Sequence, residues 1–207
     1  MDSTLEYYFD FLSQPSRALY ILLKASGTKF EAKPINLLED KSSNYFLDLF
    51  HCFNLNCLAK DQISNAFYPI DLHQRARVDE FLSWQHTGIR TSCSLYFRFQ
   101  WVQEKAFGSP ASEAKVAKYR KLMEKDLDLM ENLWLKDTGY LAGNKLTAAD
   151  VFGACEIEQI RCCGYEIKNK YPKIYSWIEK VRHELHPFFN EAHRMVYMYE
   201  KETKSKL

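Results

Sequence analysis

The chain has 207 residues, 46% of them hydrophobic, and 28 Lys and Arg set against 27 Asp and Glu. That length suits one large domain or two small ones with a real core, and the apolar and aromatic content excludes disorder. The near-zero charge balance gives no overall field toward nucleic acid or an acidic membrane surface. No apolar run approaches a membrane span. Asp2, Glu6 and Asp10 stand where a secretory signal would need basic residues and an apolar block. The expectation is a soluble cytoplasmic protein without nucleic-acid or membrane partners. The six cysteines (52, 57, 93, 155, 162 and 163) form no Cys-x-x-Cys. They read as reduced, mostly buried small hydrophobes, with a redox role for Cys52 and Cys57 open but unsupported.

Leu5–Leu23, LEYYFDFLSQPSRALYILL, opens with strand composition and closes with Leu19, Leu22 and Leu23 at helical spacing. Pro15 suits the first turn of a helix, so Ser13 falls where strand becomes helix. A hydroxyl there lies beside unpaired N–H groups, a place that favours a thiolate or carboxylate. Serine also caps helices routinely, and the local pattern leaves that reading of Ser13 and Ser16 open. Ser26-Gly27-Thr28 stops the helix. Phe30 to Leu38 reads as a second strand interrupted by Pro34, a residue tolerated at a sheet edge. Strand–helix–strand implies a parallel crossover, the first half of a thioredoxin-like domain.

Polar Glu39–Asn44 follows, then helical spacing through Phe46, Leu49, Phe50 and Phe53. Before Phe67 there is no hairpin signal, and a two-stranded sheet needs helices packed on it. Asp71-Leu72-His73-Gln74 fits a capping box. It opens a long helical pattern with an apolar stripe through Val78, Phe81, Leu82, Ile89, Cys93 and Phe97. After the break at Gly108-Ser109-Pro110, a second stripe runs through Val116, Tyr119, Leu122, Met123, Leu127, Met130, Leu133 and Trp134. Gly139 to Gly143 is a turn. Thr147 and Asp150 form the box of a third helix, apolar enough around its circumference to be buried and central. Tyr171-Pro172 starts a fourth, and Pro187 precedes a last helical stretch with a solvated KETKSKL tail. His183-Glu184-Leu185-His186 lacks the four-residue spacing of a zinc helix, so no metal site is expected.

LEYYFDFLSQPSRALYI, YPIDLHQRARVDEFLSWQH (Tyr68–His86), YLAGNKLTAADVF (Tyr140–Phe152) and PFFNEAHRMV (Pro187–Val196) together resemble theta-class glutathione transferases along most of the chain. The resemblance implies a truncated α/β thioredoxin-like glutathione-binding domain over residues 1–67 and an all-α domain over 68–207. It implies Ser13 as the catalytic hydroxyl that also meets glutathione, and Arg17 as the arginine after the turn. It places Arg90 in the cleft for an electrophilic, hydrophobic substrate; a solvated surface arginine is the other reading. Lys41 is the nearest replacement for the family's histidine at the glycine carboxylate of glutathione. A symmetric homodimer is implied near Leu72–His86. No metal or organic cofactor is implied beyond glutathione as co-substrate.

The departure lies between Leu47 and Phe67. Family members carry there a cis-proline loop, a hairpin and a Glu-Ser pair that meet glutathione; this chain has no proline between Pro34 and Pro69. Two functions follow as expectations: a transferase joining the glutathione thiolate to electrophiles, or a non-catalytic relative binding apolar ligands or partner proteins.

Overall fold

The computed structural model describes residues 5–36, 65 and 67–206. Strand β1 (Leu5–Phe9), helix α1 (Gln14–Ala25) and strand β2 (Phe30–Pro34) form the α/β part. The strands pair in parallel, Leu5 opposite Phe30 through to Phe9 opposite Pro34. Tyr7, Phe9 and Phe11 alternate toward the core beside Tyr20 of α1, which has a ring in edge contact with Phe11. Strand β2 spans Phe30–Pro34, and Ile35 N donates to Phe9 O at 2.9 Å just beyond it; Leu37 and Leu38, at the end of the expected strand, lie outside the described residues. Among the described residues the sheet has these two strands. The helical reading of Phe46–Phe53, Lys41, Cys52, Cys57 and nearly all of the departure before Phe67 lie outside them.

Gly27 takes φ +70° just past α1, a left-handed turn that glycine adopts without steric cost and that closes the helix.

The helical part runs α2 (Leu72–Thr87), α3 (Ile89–Phe97), a π-helical stretch at Arg98–Val102, and α4 (Gln103–Phe107). Asp71 caps α2 by accepting from the Gln74 backbone N–H at 2.9 Å. The long helix expected here is broken at Gly88. A Cβ at that position would sit 2.7 Å from the Trp84 ring, so the bare glycine lets the chain turn while Trp84 packs over it. Helix α5 (Glu113–Leu129) continues into a second π-helical stretch, Met130–Trp134. Its buried line is Met123, Leu127 and Met130; Leu122 and Leu133 face outward at 40% and 64% exposure, contrary to the expected stripe. At 3.6 residues per turn Leu122, next to Met123, points about 100° from that line, and Leu133 lies in the π-helical stretch, where that period no longer holds.

Helix α6 (Ala148–Glu158) and the 3-10 turn Gln159–Cys163 form the centre. Every residue of α6 is buried, as its composition implied, including Asp150, Glu156 and Glu158. Helix α7 (Pro172–Glu184) lays Ile174, Ile178 and Val181 inward. The last stretch divides at His193 into α8 (Phe188–Ala192) and α9 (Arg194–Lys204). The C-terminal residues expected to be solvated are helical to Lys204, and the Thr203 hydroxyl donates to Cys162 O at 2.8 Å.

Candidate active site

Ser13 sits between β1 and α1 with extended backbone angles, φ −83° and ψ 124°. The turn is built by Asp10. Its Oδ1 accepts from Leu12 N at 2.7 Å and its carbonyl from Ser13 N at 2.9 Å, an Asx-type turn that delivers the chain into the helix. Ser13 O then takes Arg17 N at 3.1 Å. The Ser13 side chain makes no capping hydrogen bond, and no acid stands in the first turn of α1. The hydroxyl is half-buried and stays outside the helix's own hydrogen bonding. The capping role left open by the sequence does not describe this serine.

The Tyr7 hydroxyl, on the adjacent strand, is committed elsewhere. It donates to Ser16 O at 2.6 Å, and burial holds its pKa far above the usual phenol value. Ser16 Oγ is buried without a partner.

Behind the turn, Arg17 is fully buried. Its Nη1 donates to Phe11 O at 2.8 Å, and its Nη2 donates to Cys155 O at 2.9 Å and Gln159 Oε1 at 2.6 Å. A guanidinium removed from water needs such acceptors to offset its desolvation. The bonds tie the turn carrying Ser13 to α6, across a sequence separation that no local pattern reveals.

Arg90 lies on α3. Its Nη1 meets Glu156 Oε1 at 2.8 Å, with side-chain exposures of 12% for the arginine and 1% for the glutamate. A solvated surface arginine is therefore the wrong description of Arg90. Burial pushes the Glu156 carboxyl up, against the lowering influence of Arg90 and then Arg17. His86 is pushed down, first by burial and then by the Arg90 charge. Sequence reasoning missed Glu156. The available signal was a run of charged and amide residues, Glu156, Glu158 and Gln159, on a helix otherwise apolar all round.

The four described cysteines, Cys93, Cys155, Cys162 and Cys163, are buried and unbridged. Burial raises Cys155 and Cys162 to about 12. Such thiols hold their protons at neutral pH and are poor nucleophiles. No group of three His, Cys, Asp or Glu among the described residues is arranged to hold a metal ion. No helix there is long and apolar enough to cross a membrane.

Comparison with known proteins gives the geometry its family. The family model described as "Glutathione S-transferase, C-terminal domain" matches residues 94–184. Mouse glutathione S-transferase theta-3 is 30% identical, with 93% of this chain and 88% of the relative covered. Human glutathione S-transferase theta-2B is 31% identical, covering 86% and 80%. A solved human theta-class glutathione transferase, in complex with the glutathione conjugate of 1-menaphthyl sulfate, superposes with a TM-score of 0.85. It is 28% identical over 99% of this chain and 91% of that one. The chain belongs to the glutathione S-transferases, an enzyme family, and within them to the theta class. The alignment with the mouse relative runs over 212 positions, more than this chain's 207 residues. That relative therefore carries residues for which this chain has none.

Proposed function

We propose that the chain conjugates glutathione to electrophilic, apolar small molecules, with Ser13 as the residue that favours the thiolate. The carrying observation is the Ser13 hydroxyl, held at the N-terminus of α1 on an extended backbone and not used as a cap. Glutathione's thiol is mostly protonated at neutral pH and a poor nucleophile. An O–H donated to its sulfur stabilises the thiolate, and the N-terminal end of α1 adds a favourable field. The thiol proton leaves to solvent. The sulfur lone pair forms the new C–S bond as the carbon's bond to its leaving group breaks, the leaving group departing with that electron pair. Arg90 lines the electrophile side of this site, and Lys41 meets the glycine carboxylate of glutathione. Glutathione is the only co-substrate this reading requires.

The division near residue 67, into a glutathione-binding part and a helical part, belongs to the same reading. So does a cytoplasmic homodimer packed near Leu72–His86, where Ile70 and Leu72 are exposed apolar residues. Sedimentation at micromolar concentration checks the dimer; monomer alone would reject it.

The family's glutathione contacts lie largely in the stretch that departs here. Two lost hydrogen bonds to charged groups, at about 1.5–3 kcal/mol each, weaken binding roughly a hundredfold or more. Calorimetric titration with glutathione, alongside conjugation assays on an aryl or alkyl halide, tests the proposal. The expected result is weak, saturable binding with turnover that Ser13→Ala lowers about a hundredfold, and tighter binding when the family's missing segment is restored. Absence of binding and turnover even after restoration would leave a non-catalytic protein of this fold.

A further inference from the structure

Glu156 has no place in the chemistry above, yet it is the partner of Arg90. A carboxylate at 1% exposure faces the guanidinium from the interior side, and its second oxygen, Oε2, is buried without a hydrogen-bond partner. One residue before it, Cys155 O accepts from Arg17, and Gln159 Oε1 does the same one turn later. The end of α6 and the first residue of the 3-10 turn after it thus carry a partner of Arg90 beside partners of Arg17, which sits four residues beyond Ser13. A buried carboxylate in this position has two effects on an arginine. It fixes a long side chain in one geometry, and it offsets much of that side chain's charge in a poorly screened setting.

We propose that Glu156 is a positioning residue that holds Arg90 in the electrophile wall and tempers its charge. The pull on an anionic group of the electrophile, or on a departing anion, then stays weak enough for release. This rests on Arg90 facing the electrophile, as the proposed function has it.

The test uses Glu156→Gln, nearly the same shape without the charge, and Glu156→Asp, which keeps the charge but withdraws it by one methylene. The probes are 1-naphthoate and its neutral counterpart 1-naphthamide, bound to the full chain and followed by tryptophan fluorescence. Turnover is measured with an electrophile whose leaving group is anionic. With Glu156→Gln, naphthoate affinity rises about tenfold, the order expected for uncovering one partly screened charge. Naphthamide affinity stays the same, and KM for the electrophile falls together with kcat. With Glu156→Asp, naphthoate affinity stays near that of the parent while kcat falls.

Unchanged naphthoate binding in Glu156→Gln, parallel weakening of both probes, or no naphthoate binding by the parent overturns the proposal. Should Glu156→Gln fail to fold, Glu156→Asp decides: lowered kcat with naphthoate binding retained supports positioning, and any other result rejects it. Probe binding needs no glutathione, so the two readings fail separately. A chain that does not conjugate but gains naphthoate affinity on loss of the Glu156 charge refutes the enzyme and leaves the role of Glu156 intact. A chain that conjugates without that gain refutes only the role of Glu156.

Discussion

The helices α6 and α1 both have a hydroxyl residue at the N-terminal cap, Thr147 and Ser13, and the two are used in opposite ways. At α6 the cap is closed. The Asp150 carboxylate accepts from Thr147 N at 2.9 Å, the Thr147 hydroxyl at 3.0 Å, Leu141 N at 2.8 Å and Trp177 Nε1 at 2.9 Å. At α1 the cap is open: the Ser13 hydroxyl makes no capping bond, and no acid follows it in the first turn. A closed cap exhausts its donors within the fold and contributes stability. An open one leaves a polarised end that an anionic sulfur can use. A Ser or Thr ahead of a helix does not by itself say which; the residue three places on does much to decide.

The largest effect expected from this contrast is at the closed end. Asp150→Ala leaves Thr147 N, Leu141 N and Trp177 Nε1 buried without an acceptor. At roughly 1–3 kcal/mol for each unsatisfied group, and with partial relaxation, the loss is about 3–5 kcal/mol. Urea unfolding measures it; a loss under 1 kcal/mol would mean the cap is not what fixes α6.

The open end predicts the reverse pattern. Ser13→Ala lowers turnover by about a hundredfold, the scale for removing one donor to a developing or bound anion. The pH at which the rate climbs moves upward, because the bound thiol loses the group that favours its ionised form. Stability changes by less than about 0.5 kcal/mol, since no capping bond is lost. A stability drop with turnover intact would make Ser13 an ordinary cap.

A third N-terminus refines the comparison. His193 stands at the start of α9, fully buried, its Nδ1–H donating to Phe189 O at 2.8 Å and its ring stacked on Phe189. Burial, then the Arg17 charge, holds its pKa well below the ordinary value. The folded ring stays neutral while the unfolded ring takes a proton near pH 6.5, so unfolding binds a proton below that pH. Stability is therefore full above about pH 6.5 and falls as the pH drops through it, by up to about 1.4 kcal/mol per unit. His193→Phe, which keeps the stacked ring, removes that part of the slope. Equal losses between pH 7 and pH 5 in parent and variant would show that the ring protonates in place.

The features readable from sequence are those set by neighbours in the chain. Pro15 and Gly27 bracket α1, Asp71 and Gln74 open α2, and Thr147 with Asp150 opens α6; each acts within a turn. The burial of α6 was legible from an apolar circumference. What escaped depends on distant segments meeting. Arg17 finds its acceptors at Cys155 and Gln159, and Arg90 finds Glu156. The outward turn of Leu122 and Leu133 and the break at Gly88 also depend on which neighbours pack alongside. The strand–helix turn at Ser13 was legible; whether its hydroxyl capped the helix was not.

The Arg17 bonds bear on how the protein comes apart. Separating the α/β part from α6 would strip a fully buried guanidinium of Cys155 O and Gln159 Oε1, leaving Phe11 O as its acceptor among these three. A half-opened molecule with a stranded charge is costlier than either end state, so intermediates with one part melted are disfavoured. Heating should then give a single calorimetric transition in which the sheet and the helical part are lost together. Replacing Arg17 by methionine, similar in length and uncharged, is the change that would let them melt apart.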